Sequence, residues 1–422
     1  MPENLIRISI TRKNRGFTAH YQIPNSLRKY FNTNKVIYEY DENISNVPDS
    51  VLFVPAVCCI LPLSYALGFD VDVPELDDDF YRSEPRIRAV YRKWFPEFSC
   101  HGKLIVGNII KNKSRKKKSA LLFSAGVDSL YSAMRCKRKP ILYTIWGADI
   151  PLSERSFWEK TKNHLNGFSK NFGFELKTVK TSMSELVNGK LVVRQLKLRD
   201  WWGEVSHSIL MLSLLSPSIF ENGSEIIISS THAPGHSRRW GSMPDLDSSI
   251  RYCGVTVEHI RDVNRQEKLQ YLVANHPEAL KYLRVCYSNF DSLNCSRCEK
   301  CARTMIGLII AGFDPDLCGF KFDKKIYETV MQNYKGGSWY FFAGYWENLK
   351  ENITKKVSKS PHYNPAFFEW LKSADFKNYK FNPKKKRREE IKTYLRDAFP
   401  LRLPKRLLSE TKHRLWRLRI MH

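Results

Sequence analysis

Four cysteines of this 422-residue chain, Cys286, Cys295, Cys298 and Cys301, fall within one short stretch. The last three are separated by two-residue gaps, a spacing that lets thiolates on one tight turn converge on a single ion. Cys286 supplies the fourth corner of an all-thiolate tetrahedral zinc (Zn2+) site. An iron–sulfur cluster is the rival, because Cys-x2-Cys-x2-Cys also opens ferredoxin-type runs. Those runs continue into a further Cys-Pro, whereas here Ala302, Arg303, Thr304 and Met305 follow. Zinc is the expected metal, in a structural role because four thiolates leave no open position. Cys318 is a weaker candidate for the fourth ligand.

A second constellation lies upstream. The apolar run Ala120–Phe123 breaks into Ser124, Ala125, Gly126, Val127, Asp128 and Ser129, after which Leu130, Tyr131, Ala133 and Met134 read as the start of a helix. A strand followed by a small, hydroxyl-rich turn and a helix N-terminus suits a phosphate, because helical N–H groups and the dipole favour an anion there. Gly126 is expected to let the backbone close on the ligand. Ser124 and Ser129 add hydroxyls, and Asp128 is a candidate for holding magnesium (Mg2+). No Lys precedes a Ser or Thr as in a P-loop. An ordinary turn with serine caps is the plain alternative.

This turn resembles the Ser-x-Gly-x-Asp-Ser loop of the PP-loop ATP pyrophosphatase (adenine nucleotide alpha hydrolase) superfamily. The two motifs in this order resemble the 7-cyano-7-deazaguanine synthase family, in which such a domain precedes a four-cysteine zinc knot. That family also carries a Tyr-Pro-Asp substrate loop; here Pro244 and Asp245 match and Trp240 stands near, without the Tyr. The resemblance spans residues 119–312. It implies a doubly wound α/β domain that binds ATP and magnesium through residues 124–129. Ser124, Asp128 and Ser129 would be catalytic, with His232, Pro244 and Asp245 on the substrate.

The implied reaction is adenylation of a small-molecule carboxylate, 7-deazaguanine-like, with release of pyrophosphate and formation of an amide or nitrile. Relatives with extra domains occur in antiphage defence operons. The family usually has Gly where this chain has Ala125, a change tolerated if φ is negative there. The alternatives are a PP-loop enzyme that thiolates or lysidinylates tRNA, and a nucleotide-binding scaffold without catalysis.

Elements must place these residues on one rim. Leu5–Ile10, Phe17–Ile23 and Val36–Tyr40 read as strands, and Arg86–Trp94 as an amphipathic helix. Strands are expected at Pro140–Trp146, Glu175–Val179 and Glu225–Ser230, and helices over Ser153–Asn171 and Trp201–Leu215. Such alternation means a parallel sheet with helices on both faces and ligands beyond the strand carboxyl ends. Trp146 and Gly147 then face the adenine, or simply form a strand-end turn. His232 and His236 are better read as loop histidines than as bases. Arg265 and Lys268 either neutralise a phosphate or carboxylate, or are solvated.

The expected organisation is an α+β accessory domain over residues 1–110, a solvated basic linker over 111–118, and a PP-loop domain over 119–320 containing the knot. A helical extension over 321–376 and a basic tail over 377–422 complete it. Val51–Phe69 has no charged residue but contains Pro55, Pro62 and Gly68, and reads as buried helix. Ten cysteines with four clustered suit a reducing cytoplasm, and Met1–Asn4 does not open a secretory signal. The net charge of +26 is uneven, with sixteen Lys and Arg against four acids from Lys377 to Arg419, and this tail suits tRNA or another nucleic acid, an acidic protein or an anionic membrane surface.

Overall fold

The computed structural model describes residues 4–115, 117–229, 240–260, 262–286, 290–354, 357–358 and 360–385. In the N-terminal segment, β1 (Leu5–Lys13), β2 (Gly16–Gln22) and β3 (Lys35–Tyr40) form an antiparallel meander. Val36, Tyr38 and Tyr40 are buried on every second position, the period of a strand. Helices α1 (Asp49–Cys58) and α2 (Leu61–Leu67) follow, then β4 (Asp70–Asp77), α3 (Asp78–Trp94) and β5 (Leu104–Ile110). Asp77 caps α3 by accepting from the Phe80 N–H at 3.1 Å, while Asp78 and Asp79 open the helix and Arg92 and Lys93 close it. That charge order complements the helix dipole.

The next segment runs β6 (Lys118–Leu122), α4 (Val127–Arg135), β7 (Ile141–Trp146), α5 (Arg155–Phe172) and β8 (Leu176–Thr181). Short helices α6 (Met183–Leu186) and α7 (Gly189–Leu196) lead to a π-helical turn, Trp202–Ser206. Then come α8 (His207–Ser213), α9 (Ser216–Asn222), β9 (Gly223–Ser229), α10 (Pro244–Asp247), β10 (Thr256–Ile260), α11 (Arg265–Asn275) and α12 (Glu299–Ile310).

Among the described residues ten strands make one sheet in the order β10-β9-β6-β7-β8-β3-β2-β1-β4-β5. The first five are mutually parallel, and β1, β4 and β5 are parallel again across the antiparallel meander. The chain is therefore α/β with a large, mostly parallel sheet. Counted from β6 along the chain, the five parallel strands lie in the order 3-2-1-4-5 from β8 to β10. The order reverses beside β6, where open α/β sheets leave a crevice beyond the strand ends.

Residues 1–110 were expected to stand apart, yet no break in the sheet separates them. Tyr38, Glu39 and Tyr40 of β3 pair with Thr181, Lys180 and Val179 of β8. The basic linker is also tied down: the Ser114 N–H donates to the Cys253 carbonyl at 3.0 Å, and the Arg115 N–H to that of Phe220 at 3.0 Å. Two compact units result, residues 1–322 with 354–361 and residues 323–353 with 362–422. The second contains α13 (Lys325–Gly336), α14 (Ala343–Glu351) and α15 (Pro365–Ser373). Residues 386–422, most of the expected tail, lie outside the described residues.

Among the described residues no single helix is long and apolar enough to cross a membrane. Helices α1 and α2 reach that length only as a pair bent by 47°. Their side chains are buried in the protein core, including Val51, Val54, Ile60 and Leu63 at 0% exposure.

Asp77 joins three segments. Besides capping α3 it accepts from Asn112 Nδ2 at 3.0 Å and from the Cys253 N–H at 3.1 Å, while fully buried. Removing its carboxylate orphans these donors. Asp77→Ala is expected to lower the unfolding free energy by about 3 kcal/mol in urea denaturation; a loss below about 1 kcal/mol would contradict this role.

Candidate functional site

At the carboxyl end of β6 the Phe123 N–H still bonds the Tyr143 carbonyl at 2.8 Å, and then the chain turns. The turn is closed by its own hydroxyls. The Ser124 N–H donates to Ser129 Oγ at 3.3 Å, and the Gly126 N–H donates to Ser124 Oγ at 3.3 Å. Ser129 Oγ donates to the Gly126 carbonyl at 3.3 Å. The first turn of α4 leaves its leading N–H groups without helical acceptors, directed to the sheet rim.

The strained position is Ala125 and not Gly126. Ala125 has φ 57°, whereas Gly126, the residue before α4, is extended at φ −69° and ψ 164°. The condition under which Ala125 would replace the family's Gly without strain, a negative φ, is therefore not met. A left-handed alanine costs about 1 kcal/mol relative to glycine. Its carbonyl accepts the Arg284 N–H at 2.9 Å, which holds the turn.

Asp128 is buried on the first turn of α4. Its Oδ1 accepts from Lys268 Nζ at 3.0 Å, and its Oδ2 pairs with Arg265, both on α11. Burial alone would raise this carboxyl, but Arg265 and Lys268 outweigh it and hold it well below the usual carboxylate range. With both oxygens so engaged, Asp128 does not fit the expected role of magnesium ligand. Lys268, with a side chain 0% exposed, is no solvated lysine.

Further charges converge on the same rim. Burial, with Arg265 and Arg303 beside it, pushes the Lys300 ammonium down to about 8, while Asp149 and Asp128 pull the other way. Burial lowers Arg284, against Asp149 and Cys286, and its guanidinium lies 5.6 Å from the Phe157 ring centroid. Burial likewise lowers His207, opposed by Asp149 and Asp200. Lys300, Arg303, Arg284 and His207 were missed in the sequence. Lys300 and Arg303 stand three apart on α12, a helical spacing that was readable on either side of Cys301.

Trp146 and Gly147 are fully explained by packing. The Trp146 ring stacks on Trp158 at 5.5 Å and 6°. Gly147 has φ 101°, and a Cβ there would lie 1.7 Å from the Thr181 carbonyl oxygen. Its glycine is required by a neighbouring strand end. Pro244 begins α10, and the exposed Asp245 accepts from Trp94 Nε1 of α3 at 3.3 Å. His232 and His236 lie outside the described residues. Two positions after Asp245, the fully buried Asp247 accepts from Ser242 Oγ at 2.9 Å and has His259 Nε2 at 3.7 Å. Burial pushes Asp247 up to about 7, while the neighbouring Ser208, Ser242 and Met243 backbone pull the other way.

The four cysteines come together. The Sγ atoms of Cys286, Cys295, Cys298 and Cys301 all lie within 4.8 Å of one another, with Cys286–Cys298 at 3.9 Å and Cys295–Cys301 at 3.8 Å. A tetrahedral zinc with metal–sulfur bonds of about 2.3 Å requires sulfur–sulfur edges of about 3.8 Å, so the donor set fits zinc. Crowding by the other sulfurs pushes Cys298 and Cys301 up, so these thiols cannot all ionise unless a cation sits among them. Cys298 caps α12 and Cys301 lies on its first turn, while Ser296 at φ 59° makes the bend. Cys318 is buried elsewhere, its Sγ directed to the Asp314 carbonyl at 3.9 Å, and is not part of the group.

Comparison with family models, with curated proteins and with solved structures finds no match for this chain.

Two outcomes are expected. Asp128→Asn leaves Arg265 and Lys268 without their carboxylate and lowers stability at pH 7 by about 3 kcal/mol. Because the folded carboxyl is depressed, the wild-type advantage is full above about pH 4 and is lost as pH falls toward the folded value. Denaturation across pH 2–7 checks this, and a gap independent of pH contradicts it. Elemental analysis is expected to find one zinc per chain, roughly tenfold less after Cys298→Ser, and no loss after Cys318→Ser. Equal zinc in all three would contradict the ligand set.

Proposed function

We propose that the chain is an ATP-dependent, AMP- and pyrophosphate-forming carbon–nitrogen ligase whose α/β core is of the PP-loop type. The observation that carries this reading is the hydroxyl-closed turn Ser124–Ser129 leading into α4 beside the strand-order reversal, with Arg265, Lys268 and Lys300 clustered around it. Phosphates of ATP would be received by the α4 N–H groups and the Ser124 and Ser129 hydroxyls. Arg265 and Lys268, held in place by Asp128, would offset the charge that grows on the departing pyrophosphate. The donor set does not support a magnesium ion on Asp128, and no step is assigned to one.

In this reading a carboxylate oxygen attacks the α-phosphorus, the bond to the β-phosphate oxygen breaks, and pyrophosphate leaves. Ammonia then attacks the acyl carbon and expels AMP, giving an amide. Catalysis comes from positioning and preorganised charge. Zinc, bound by four thiolates, would cross-link residues 286–301. Through the Arg284 N–H to the Ala125 carbonyl, that cross-link would buttress the loop. The implied substrate is a 7-deazaguanine-like carboxylate, near Pro244 and Asp245. A tRNA-modifying activity is the second reading, favoured by sixteen Lys and Arg against four acids between residues 377 and 419.

ATP–pyrophosphate exchange with purified protein tests the proposal. Exchange is expected with 7-carboxy-7-deazaguanine, reduced about 100-fold or more by Arg265→Ala. No exchange with this acid, other small carboxylates or tRNA would overturn it.

A further inference from the structure

Beside the turn Ser124–Ser129, the carboxyl end of β7 carries a second group of polar side chains. The Gly147 N–H donates to the Ile150 carbonyl at 2.9 Å, and the turn so closed bears Asp149 as an exposed carboxylate. Ile150 packs in a small apolar cluster with Phe157 and Trp158. The half-buried Arg284 lays its guanidinium over Phe157 at 5.6 Å, and Phe290 backs that ring at 5.4 Å. With its backbone N–H on the Ala125 carbonyl at 2.9 Å, Arg284 is fixed at both ends, to the turn and to the ring.

Elsewhere on the rim the charges are paired, Asp128 with Arg265 and Lys268, and Glu299 with Arg303. Here they are not. Among the described residues the Arg284 guanidinium and the Asp149 carboxylate have neither a hydrogen bond nor an ion pair, and Arg284 Nε is closed off from water. His207, at the start of α8, has its Nδ1 buried without a partner among the described residues, and its ring meets Trp202 edge-on at 5.3 Å. Asp149 is within electrostatic reach of Arg284, His207 and Lys300, and Lys300 in turn of Asp128, so the group adjoins the triad. Enclosed polar nitrogens without acceptors or donors are costly, and a ligand that supplies them removes the penalty.

We propose that this group is the subsite for the acid substrate: Arg284 takes the carboxylate, Asp149 takes N–H donors of the same small molecule, and His207 hydrogen-bonds its polar edge. The inference rests on the reading of Ser124–Ser129 as the ATP site. The two opposite charges choose the class of ligand. A phosphate would face the Asp149 carboxylate, and a simple amine would face Arg284. A carboxylic acid that also carries N–H donors satisfies both. An amino-substituted heterocyclic acid and a free amino acid share that chemistry. Because Arg284 is held on Ala125, an acid bound to it lies next to the turn that would hold the triphosphate, as attack on the α-phosphorus requires.

Calorimetry of the full chain with 7-carboxy-7-deazaguanine, its neutral carboxamide and L-lysine tests it, with and without α,β-methylene-ATP. One of the two acids is expected to bind, and for the heterocycle the carboxamide should bind about tenfold or more weakly than the acid. Arg284→Gln should weaken the acid about tenfold or more and remove its preference over the carboxamide, whereas Arg284→Lys, which keeps the charge, should lose less. Asp149→Asn, a change at an exposed position, should weaken the acid about tenfold. Zinc content and the urea midpoint show that each variant is folded. Binding of the heterocyclic acid or of lysine identifies the source of the carboxylate, and either supports the proposal. No binding of either acid under both conditions, or affinity unchanged in both Arg284→Gln and Asp149→Asn, would overturn it. Binding of the ATP analogue with an acid indifferent to Arg284 would overturn this subsite alone. Acid binding that depends on Arg284, in a chain that binds no ATP analogue, would overturn the ATP reading and keep the subsite.

Discussion

A carboxylate that stays ionised while buried is stabilised by cations beside it, and Asp128 has two, Arg265 and Lys268. This triad carries the site. It joins α4 to α11 and holds two positive side chains at the start of α4, where the helix dipole already favours an anion. Desolvation of three charged groups is costly, and only their mutual pairing offsets it. Because removing any one member leaves the others buried without compensation, the arrangement is held together as a unit. Its consequence is that Asp128 fixes the orientation of two cations, which in the proposed function would face an incoming phosphate.

The rest of the unit fixes where that triad stands. Gln266 of α11 donates through Nε2 to the Gly307 carbonyl of α12 at 2.9 Å, joining the helix of the triad to the helix that begins at Cys298. Asn294 accepts the Val285 N–H at 2.9 Å and donates to the Leu283 carbonyl at 2.8 Å, closing the cysteine loop upon itself. One residue before Val285, the Arg284 N–H holds the Ala125 carbonyl. Loop, triad and cysteine group thus form one connected network on the rim where the strand order reverses. A metal held by the four cysteines would therefore also stiffen the turn Ser124–Ser129 through this network.

Much of this was readable from local pattern. The small residues between the apolar run and α4, and the gaps between Cys295, Cys298 and Cys301, are short-range signals and marked both halves of the site. What escaped depends on distant pairing. The β3–β8 register joins residues 38–40 to 179–181, and nothing local in the first hundred residues announces a partner so far along the chain. Ser114 and Arg115 look like a solvated basic linker until their backbone groups find Cys253 and Phe220. For Lys268 the sequence left a charge-neutralising role and a solvated surface equally open, because its carboxylate lies 140 positions away. For Gly147 the sequence left ligand approach and a plain strand-end turn equally open, and the atom the missing Cβ makes room for is the Thr181 carbonyl oxygen. At Ala125 the sequence left the sign of φ open, and the fold imposes a left-handed backbone.

Titration calorimetry with ATP tests the central claim, that Ser124–Ser129 and the Asp128 triad form a polyphosphate site, most directly. The account predicts one ATP per chain, displaced by inorganic pyrophosphate and weakened about tenfold or more by Arg265→Ala. ATP that fails to bind, or that binds indifferently to pyrophosphate and to Arg265, would contradict it.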